Sequence, residues 1–473
     1  MTYRFVHLSD IHFGQEKEGT LPKHEFIRNA LVADVESLAK VRGAATRLLI
    51  TGDIAYSGKQ EQYAKATAWL EKLTKASGCD ETHVSSIPGN HDCDVAAISN
   101  QAKMIYAQFR LSTPEQVQAN LDGIAQDDES ANPFLPKLRA YRNFAEGYGC
   151  DFESTSRPFW VRNFDFAGGI KLQLYGLSSV QVSDLSDSLG KMILGNKQYM
   201  IAEEKNIINV VLVHHPLSWF IDRVEAVQHI YNTARVIMVG HEHMLNLHKT
   251  TDGLTKKEWL VVYAGAANPP EKGYSYTYNW IEFECEKAKE QWQLIVRVFP
   301  RVWVQEKVRF DADRRRLEGA GDSTTVEILC PNIQFEAIHA ESNVDAGARD
   351  KNVAASVKPA AKPAAKPADV ETVGGRLAAT ARSGSGMKSE SAGFERLRYL
   401  FWRYLDWRQR LKVLVDIDAL PKTADQPIPQ TLERVALDAV AKDSSKLHDL
   451  WEAVMALVPE EKRSSNPFSA EGK

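Results

Sequence analysis

With 473 residues, 44% of them hydrophobic and 25% charged, the chain is long enough for two to four domains and a large core. A net charge of −4 excludes a global basic field that would draw it to nucleic acid. Five scattered cysteines (Cys79, Cys93, Cys150, Cys285, Cys330) in no CxxC pattern exclude a disulfide framework. There is no signal-peptide pattern and no apolar run of about 18 residues. No membrane association and a cytoplasmic location are therefore expected.

In chain order, "RFVHLSD", "RLLITGD", "HVSSIPGNHD", "KLQLYGLSS", "NVVLVHHP", "RVIMVGHEH" and "WLVVYAGA" each read as a buried strand ending in polar residues. "HEFIRNALVADVESLAKVR" and "EQYAKATAWLEKLTKAS", with apolar residues at helical spacing, separate the first three. Strands alternating with helices predict an α/β layered domain. Between Asp92 and His214 a polar, partly helical stretch, residues 95–160, is either a substrate-shaping cap or a peripheral decoration. Within 281–310, "WIEFECE", "WQLIVRVFPRVWV" and the start of "EKVRFDA" read as an antiparallel meander that completes a second sheet.

Residues 336–393 are rich in Ala, Pro and Lys and hold few large apolar side chains, so they read as a flexible linker. Residues 394–468 are helical again. Phe394, Leu397, Leu400, Phe401, Tyr404 and Leu405 form one stripe, which predicts a small all-α bundle. The long linker argues against tight packing of this bundle on residues 1–335. Its aromatic residues Phe401, Trp402, Tyr404, Trp407 and Trp451 exceed what so small a unit readily hides, so an exposed patch is expected.

The chemistry sits at the strand ends: Asp10-x-His12, Gly52-Asp53, Gly89-Asn90-His91-Asp92, His214-His215 and Gly240-His241-x-His243. In open α/β sheets ligands bind outside the carboxyl ends of strands. Residues i and i+2 of extended chain point the same way, so Asp10 and His12 can reach one atom. Any one block alone is ordinary loop chemistry; five in this order are not. The donors are carboxylate, amide oxygen and imidazole without thiolate, which favours Mn²⁺, Fe²⁺/Fe³⁺ or Zn²⁺. Their number exceeds one coordination sphere and calls for two divalent metal ions.

These blocks resemble the calcineurin-like metallophosphoesterase signature, and "HLSDIHFG" and "TGDIAYSG" resemble its bacterial cyclic-nucleotide and small-phosphodiester members. The resemblance implies two facing β-sheets flanked by helices, with a dinuclear site at the top. It implies that Asp10, His12 and His243 hold one metal, that Asn90, His214 and His241 hold the other, and that Asp53 bridges them. It implies catalytic roles for His91, as the general acid, and for Asp92, which orients His91 or holds the loop. Asn90 and His91 would touch substrate. His215 would pack or touch substrate, and His7 would be a buried, hydrogen-bonded strand histidine.

The expected activity is hydrolysis of a phosphodiester, a cyclic nucleotide or other small diester, by a hydroxide shared by the metals. One alternative is a nuclease acting on DNA, suggested by the basic residues Arg297, Arg301, Lys307, Arg309, Arg314, Arg315 and Arg316. Another is an effector enzyme recruited to a signalling or defence complex. For that reading, residues 394–468 resemble the effector-associated adaptor domains of bacterial conflict systems and would bind a protein partner; simple packing on the catalytic unit is the competing reading.

Overall fold

The protein's computed structural model describes residues 1–16, 20–124, 132–152, 157–269, 274–288, 291–317, 321–334, 392–421, 428 and 430–469. β1 (Thr2–Leu8), β2 (Arg47–Ile50) and β3 (Val84–Ser86) pair in parallel, with α1 (Leu21–Arg42) and α2 (Gln60–Ser77) as the crossovers between them. Parallel strands need such crossovers, and helices laid on the sheet bury both faces. The next stretch supplies α3 (Asn100–Arg110), α4 (Pro114–Ile124), α5 (Arg139–Gly147), β4 (Phe159–Asp165) and β5 (Lys171–Leu177). It is followed by α6 (Asn196–Tyr199), β6 (Ile207–Val213), α7 (Arg223–Thr233), β7 (Ala234–Val239), β8 (Leu245–Thr251) and β9 (Glu258–Ala264). The second sheet has the order β4-β5-β6-β7-β9-β8, parallel in its centre and antiparallel at both edges.

Strand periodicity divides the core. Along β6, Val210 and Leu212 join an apolar cluster with Leu48 and Ile50 of β2, between the sheets. The alternate residues Val211 and Val213 join a second cluster with Ile230 of α7 and Tyr106 of α3. Both faces of β6 are thus covered, which is why its sequence is apolar apart from Asn209.

The meander is present but closes the first sheet, not the second. β10 (Thr277–Ala288) lies antiparallel to β1, and β11 (Gln291–Val304) carries β12 (Arg309–Ala312) and β13 (Thr324–Leu329). Alternation in sequence shows that strands pair, not which sheet they join. The insertion at 95–160 widens the flanking layers: α3 and α4 join the second cluster, α5 the first. Among the described residues none of it hydrogen-bonds to Asp10, His12, Asp53, Asn90, His91, His214, His241 or His243.

The C-terminal helices are α8 (Ala392–Tyr404), α9 (Trp407–Asp416), α10 (Gln430–Val440) and α11 (Ser444–Leu457). Apart from its last two residues, the expected linker 336–393 lies outside the described residues. The expectation of a loosely held bundle is overturned, because these helices share one compact unit with residues 1–334. α8 is buried on two faces. Leu397, Leu400 and Phe401 sit among the bundle's own apolar residues. Tyr399 meets the Tyr148 ring at 5.5 Å, and its hydroxyl donates to Glu71 Oε1 of α2 at 2.9 Å. Glu395 pairs with Arg162 and with Arg47 (3.5 Å), and Glu81 pairs with Arg396 and with Lys462 (2.6 Å). The expected aromatic patch is likewise not seen among the described residues: Phe401, Trp402 and Trp451 are buried, and Tyr404 and Trp407 half-buried. α8 thus carries two apolar faces with charged residues between them, and the second face packs on residues 1–334.

This docking is testable in the full chain. After cleavage at a protease site inserted near residue 360, the two pieces will still co-elute in gel filtration. Tyr399→Ala deletes a ring that is 1% exposed and will cost about 3–5 kcal/mol, so the C-terminal piece will separate in that variant.

Candidate metal centre

The strand-end blocks of both sheets meet at one place. The segment after β1 is tied to the loop after β2 by Asp10 N–H to Gly52 O (3.1 Å) and Ile11 N–H to Asp53 O (2.8 Å). It is tied to the segment after β9 by Ala267 N–H to Ser9 O and Asn268 N–H to Asp10 O, both 2.9 Å. Gly240 N–H donates to His214 O at 3.1 Å, joining the ends of β6 and β7. A Cβ on Gly240 would lie 2.3 Å from Ser9 Oγ and 2.4 Å from Thr51 O, so only glycine lets the two sheets approach this closely.

Asp53 is the centre. Its Oδ2 lies 3.2 Å from His12 Nε2 and 3.5 Å from His214 Nε2, and its Oδ1 accepts from the His91 amide at 2.8 Å. On one side, Asp10 Oδ1 lies 3.0 Å from His243 Nε2, and Asp10, His12 and His243 form one group whose ligand atoms lie within 4.8 Å of one another. On the other, Asn90 Oδ1 lies 3.1 Å from His214 Nε2 and 3.2 Å from His241 Nδ1. Every residue expected to hold metal is therefore in this cluster.

The route differs from the one expected. Asp10 and His12 are not on extended chain: their φ angles are 53° and 50°, and those of Asp53, His241 and His243 are 55°, 64° and 52°. This left-handed region is strained for side-chain-bearing residues, though Asp and His tolerate it better than most. Tight turns, not strand alternation, converge the side chains.

Backbone carbonyls set the rings. His12 Nδ1 faces Asn268 O at 3.2 Å and His214 Nδ1 faces Thr51 O at 2.7 Å. A carbonyl only accepts, so each Nδ1 carries the hydrogen and each Nε2 lone pair points inward. His91 follows the same rule, with Nδ1 2.9 Å from Tyr56 O.

Charge in the cluster is concentrated. Burial would lower the pKa of His12, but the hydrogen bond and charge of Asp53, with Asp10, push it up to about 9. Burial would raise Asp53, but the charge of His214 and the His12 bond hold it well below the usual carboxylate range. The two carboxylates thus make this a pocket that draws positive charge, a proton or a cation, to His12. Asp10 Oδ1 is a buried oxygen beside His243 Nε2 but without a hydrogen bond of good geometry. An unsatisfied carboxylate oxygen among oxygen and imidazole donors suits a divalent cation.

Two open alternatives narrow. Asp92 does not touch the His91 ring. Its carboxylate accepts from the amides of Ala55 (2.8 Å), Gly89 (2.9 Å) and Ile54 (3.2 Å) and from the Tyr63 hydroxyl (2.7 Å), so it holds the loop. His215 has no solvent-facing surface, and its Nδ1 lies 2.9 Å from Ser179 Oγ, so it packs against His214 and His241. His7 is buried, 3.1 Å from Thr51 Oγ1, as expected of it. Asn268 and Thr51 were missed because they act through backbone oxygen, which no side-chain pattern encodes. Asn268 did carry one readable signal, a polar residue just past the end of "WLVVYAGA".

The sequence model of the calcineurin-like phosphoesterase family matches residues 3–245, and that of the GTPase-associated adaptor domain matches residues 393–456. No curated protein matches the chain. Similar solved structures include a 5′-nucleotidase precursor from Thermus thermophilus (16% identity, TM-score 0.33, 70% of this chain and 54% of that one). They also include a single mutant of Vps29 from Entamoeba histolytica (10%, 0.26, 69% and 99%) and the NAD nucleotidase of Haemophilus influenzae (12%, 0.31, 67% and 54%). The chain spans about half the length of the two nucleotidases.

Asp92→Ala will leave three buried amides and a phenol without their acceptor, and will destabilise the protein by about 3 kcal/mol or more in denaturant unfolding. Tyr63→Phe removes only one of those bonds and will cost about 1 kcal/mol.

Proposed function

The chain belongs to the calcineurin-like phosphoesterase family, and from that premise we propose that it is a metal-dependent phosphoesterase acting on a phosphodiester, a cyclic nucleotide or other small diester. The observation that carries the reading is the convergence of four imidazoles, Asn90, Asp10 and Asp53 on one buried point, with an unsatisfied Asp10 oxygen among them. Asp10, His12 and His243 would hold one divalent cation, Asn90, His214 and His241 a second, with Asp53 shared. Cations there would polarise a phosphoryl oxygen and acidify a water. Mn²⁺, Fe²⁺/Fe³⁺ and Zn²⁺ match the donor set, which includes no cysteine.

The chain's own groups do the rest. Asn90 and His91 sit on a turn pinned by Asp92, which fixes them against the phosphate. His91, with its ring centroid 4.8 Å from that of His12, delivers its Nε2 proton to the leaving oxygen. Asn268 and Thr51 hold His12 and His214 in the tautomer that faces inward.

The DNA reading is weakened, because five of the seven basic residues face carboxylates. Arg297 pairs with Glu284, Arg301 with Asp34, Lys307 and Arg309 with Asp311, and Arg315 with Asp313. The adaptor domain at 393–456 supports a protein partner, so in this reading the enzyme is recruited to a complex through its C-terminal helices.

A panel of cyclic nucleotides, dinucleotides, phosphomonoesters and single-stranded DNA, incubated with Mn²⁺-loaded protein, tests the proposal; turnover of the diesters is expected, and turnover of none sinks it. Asp53→Asn will abolish hydrolysis and lower metal content measured by mass spectrometry, since one amide oxygen cannot serve two cations. His91→Ala will keep its metal and lose about 10²–10⁴-fold in turnover. That loss will shrink for nitrophenyl esters, whose leaving group needs no proton, whereas an equal loss for both classes would assign His91 to positioning.

A further inference from the structure

Three loops each bring one aromatic ring to the edge of the cluster. Tyr56, just after Asp53, stacks on the His91 ring at a centroid distance of 5.0 Å and an interplanar angle of 18°. Tyr274, between β9 and β10, stands edge-on to His243 at 5.5 Å. Trp219, after His214 and His215, lies 4.4 Å from His241 but is half-buried against His215. The two tyrosines are the open ones, 42% and 45% exposed. A lone exposed tyrosine needs no explanation. Two on different loops, each against a ring of the same cluster, share one neighbourhood.

Tyr56 is held firmly. Its amide donates to Phe13 O at 3.0 Å, and its carbonyl receives the His91 Nδ1 bond at 2.9 Å. One ring face lies on His91, and much of the ring remains in solvent. Among the described residues no hydrogen bond uses the hydroxyl of either tyrosine. A fixed, half-open aromatic ring is a preorganised stacking surface.

We propose that Tyr56 and Tyr274 form the platform for a nucleobase, so that the phosphoester this site takes is a nucleotide derivative. The inference rests on the phosphoesterase reading for the position of the phosphate. Tyr56 covers His91 and stands edge-on to the His12 ring at 5.9 Å, and Tyr274 stands beside His243, so both rings border the groups that would meet the phosphate. A flat group joined to the phosphate through a spacer, as a base is through its ribose, suits rings at that border.

The test is calorimetry on the Mn²⁺-loaded full chain with the methylene-phosphonate analogues of AMP and of ribose 5-phosphate, whose C–P bond resists hydrolysis. Stacking contributes about 1–3 kcal/mol per base, so the AMP analogue will bind roughly 5–150-fold more tightly. In Tyr56→Leu/Tyr274→Leu that ratio will collapse towards one, with metal content and affinity for the ribose analogue unchanged. Tyr56→Phe/Tyr274→Phe will keep the ratio, because a phenyl face stacks as well. A wild-type protein that binds the two analogues alike, or neither, overturns the platform. So does a ratio that survives the leucine pair, or an equal weakening of both analogues. The platform and the phosphoesterase reading fail separately: base-dependent binding without turnover of any ester removes only the latter, and turnover of aliphatic diesters without base preference removes only the former.

Discussion

The Asp53 carboxylate is buried and faces three histidines, and the rest of the site answers to it. An ionised carboxylate out of water costs several kcal/mol unless charge and hydrogen bonds compensate it. Here the compensation comes from His12, His214 and the His91 amide, which arrive from three different strand ends. Those strands belong to both sheets, so bringing them within reach requires the two sheets to converge at the carboxyl ends of their strands. The close backbone approaches at Gly240 and Gly89, where a Cβ on the latter would stand 2.1 Å from Asp53 Oδ1, follow from that demand.

Convergence has a conformational cost. Five of the converging residues adopt positive φ, a region that costs of order 1 kcal/mol or more for a residue with a Cβ. Such turns persist only when their surroundings over-determine them. Asp92 meets that need by collecting amides from the loops after β2 and β3 on one carboxylate. Burial, with the nearby Asp53 charge, raises its pKa to about 6, which is the behaviour of a structural acid wedged under a charged site. The loop that presents Asn90 and His91 is therefore as rigid as the core beneath it.

Much of this was legible in the sequence, and for one reason. Parallel strands buried on both faces show as short apolar runs, and their ends show as abrupt polar blocks, so β1, β2, β3, β6 and β7 announced both themselves and their cargo. What escaped were relations that side chains do not encode. Carbonyls of Thr51 and Asn268 orient two rings, and a carbonyl belongs to every residue. The i, i+2 argument reached the right pair, Asp10 and His12, through the wrong geometry, because a left-handed turn and an extended strand can bring the same two side chains together. Sheet membership of β10 and β11 was misjudged because pairing partners far apart in sequence leave no local trace. The C-terminal bundle was judged by composition alone. Its apolar excess was read as an exposed patch, when the second surface that α8 required lay far upstream in the chain, on α5.

That last misreading has a physical consequence for how the two parts of the chain relate. α2 carries Tyr63 on one face and Glu71 two turns later. Tyr63 donates to Asp92 under the catalytic loop, and Glu71 accepts from Tyr399 of the adaptor helices. Between α2, α5 and the bundle lies a cavity of about 320 Å³ whose wall includes Tyr63, Tyr148, Tyr399 and Arg403. The helix that buttresses the site is thus the helix on which the adaptor docks. A partner that gripped α8 would have to strip it from α2 and α5, exposing Phe144 and Tyr148. A partner that used α10 would meet Leu432 and Val435, which are exposed, on the helix whose Arg434 donates to Asp151 Oδ2 (3.1 Å) and Phe152 O (3.0 Å). Recruitment through the exposed side of α10 is therefore compatible with a fully supported site where those bonds are kept, and recruitment through α8 is not.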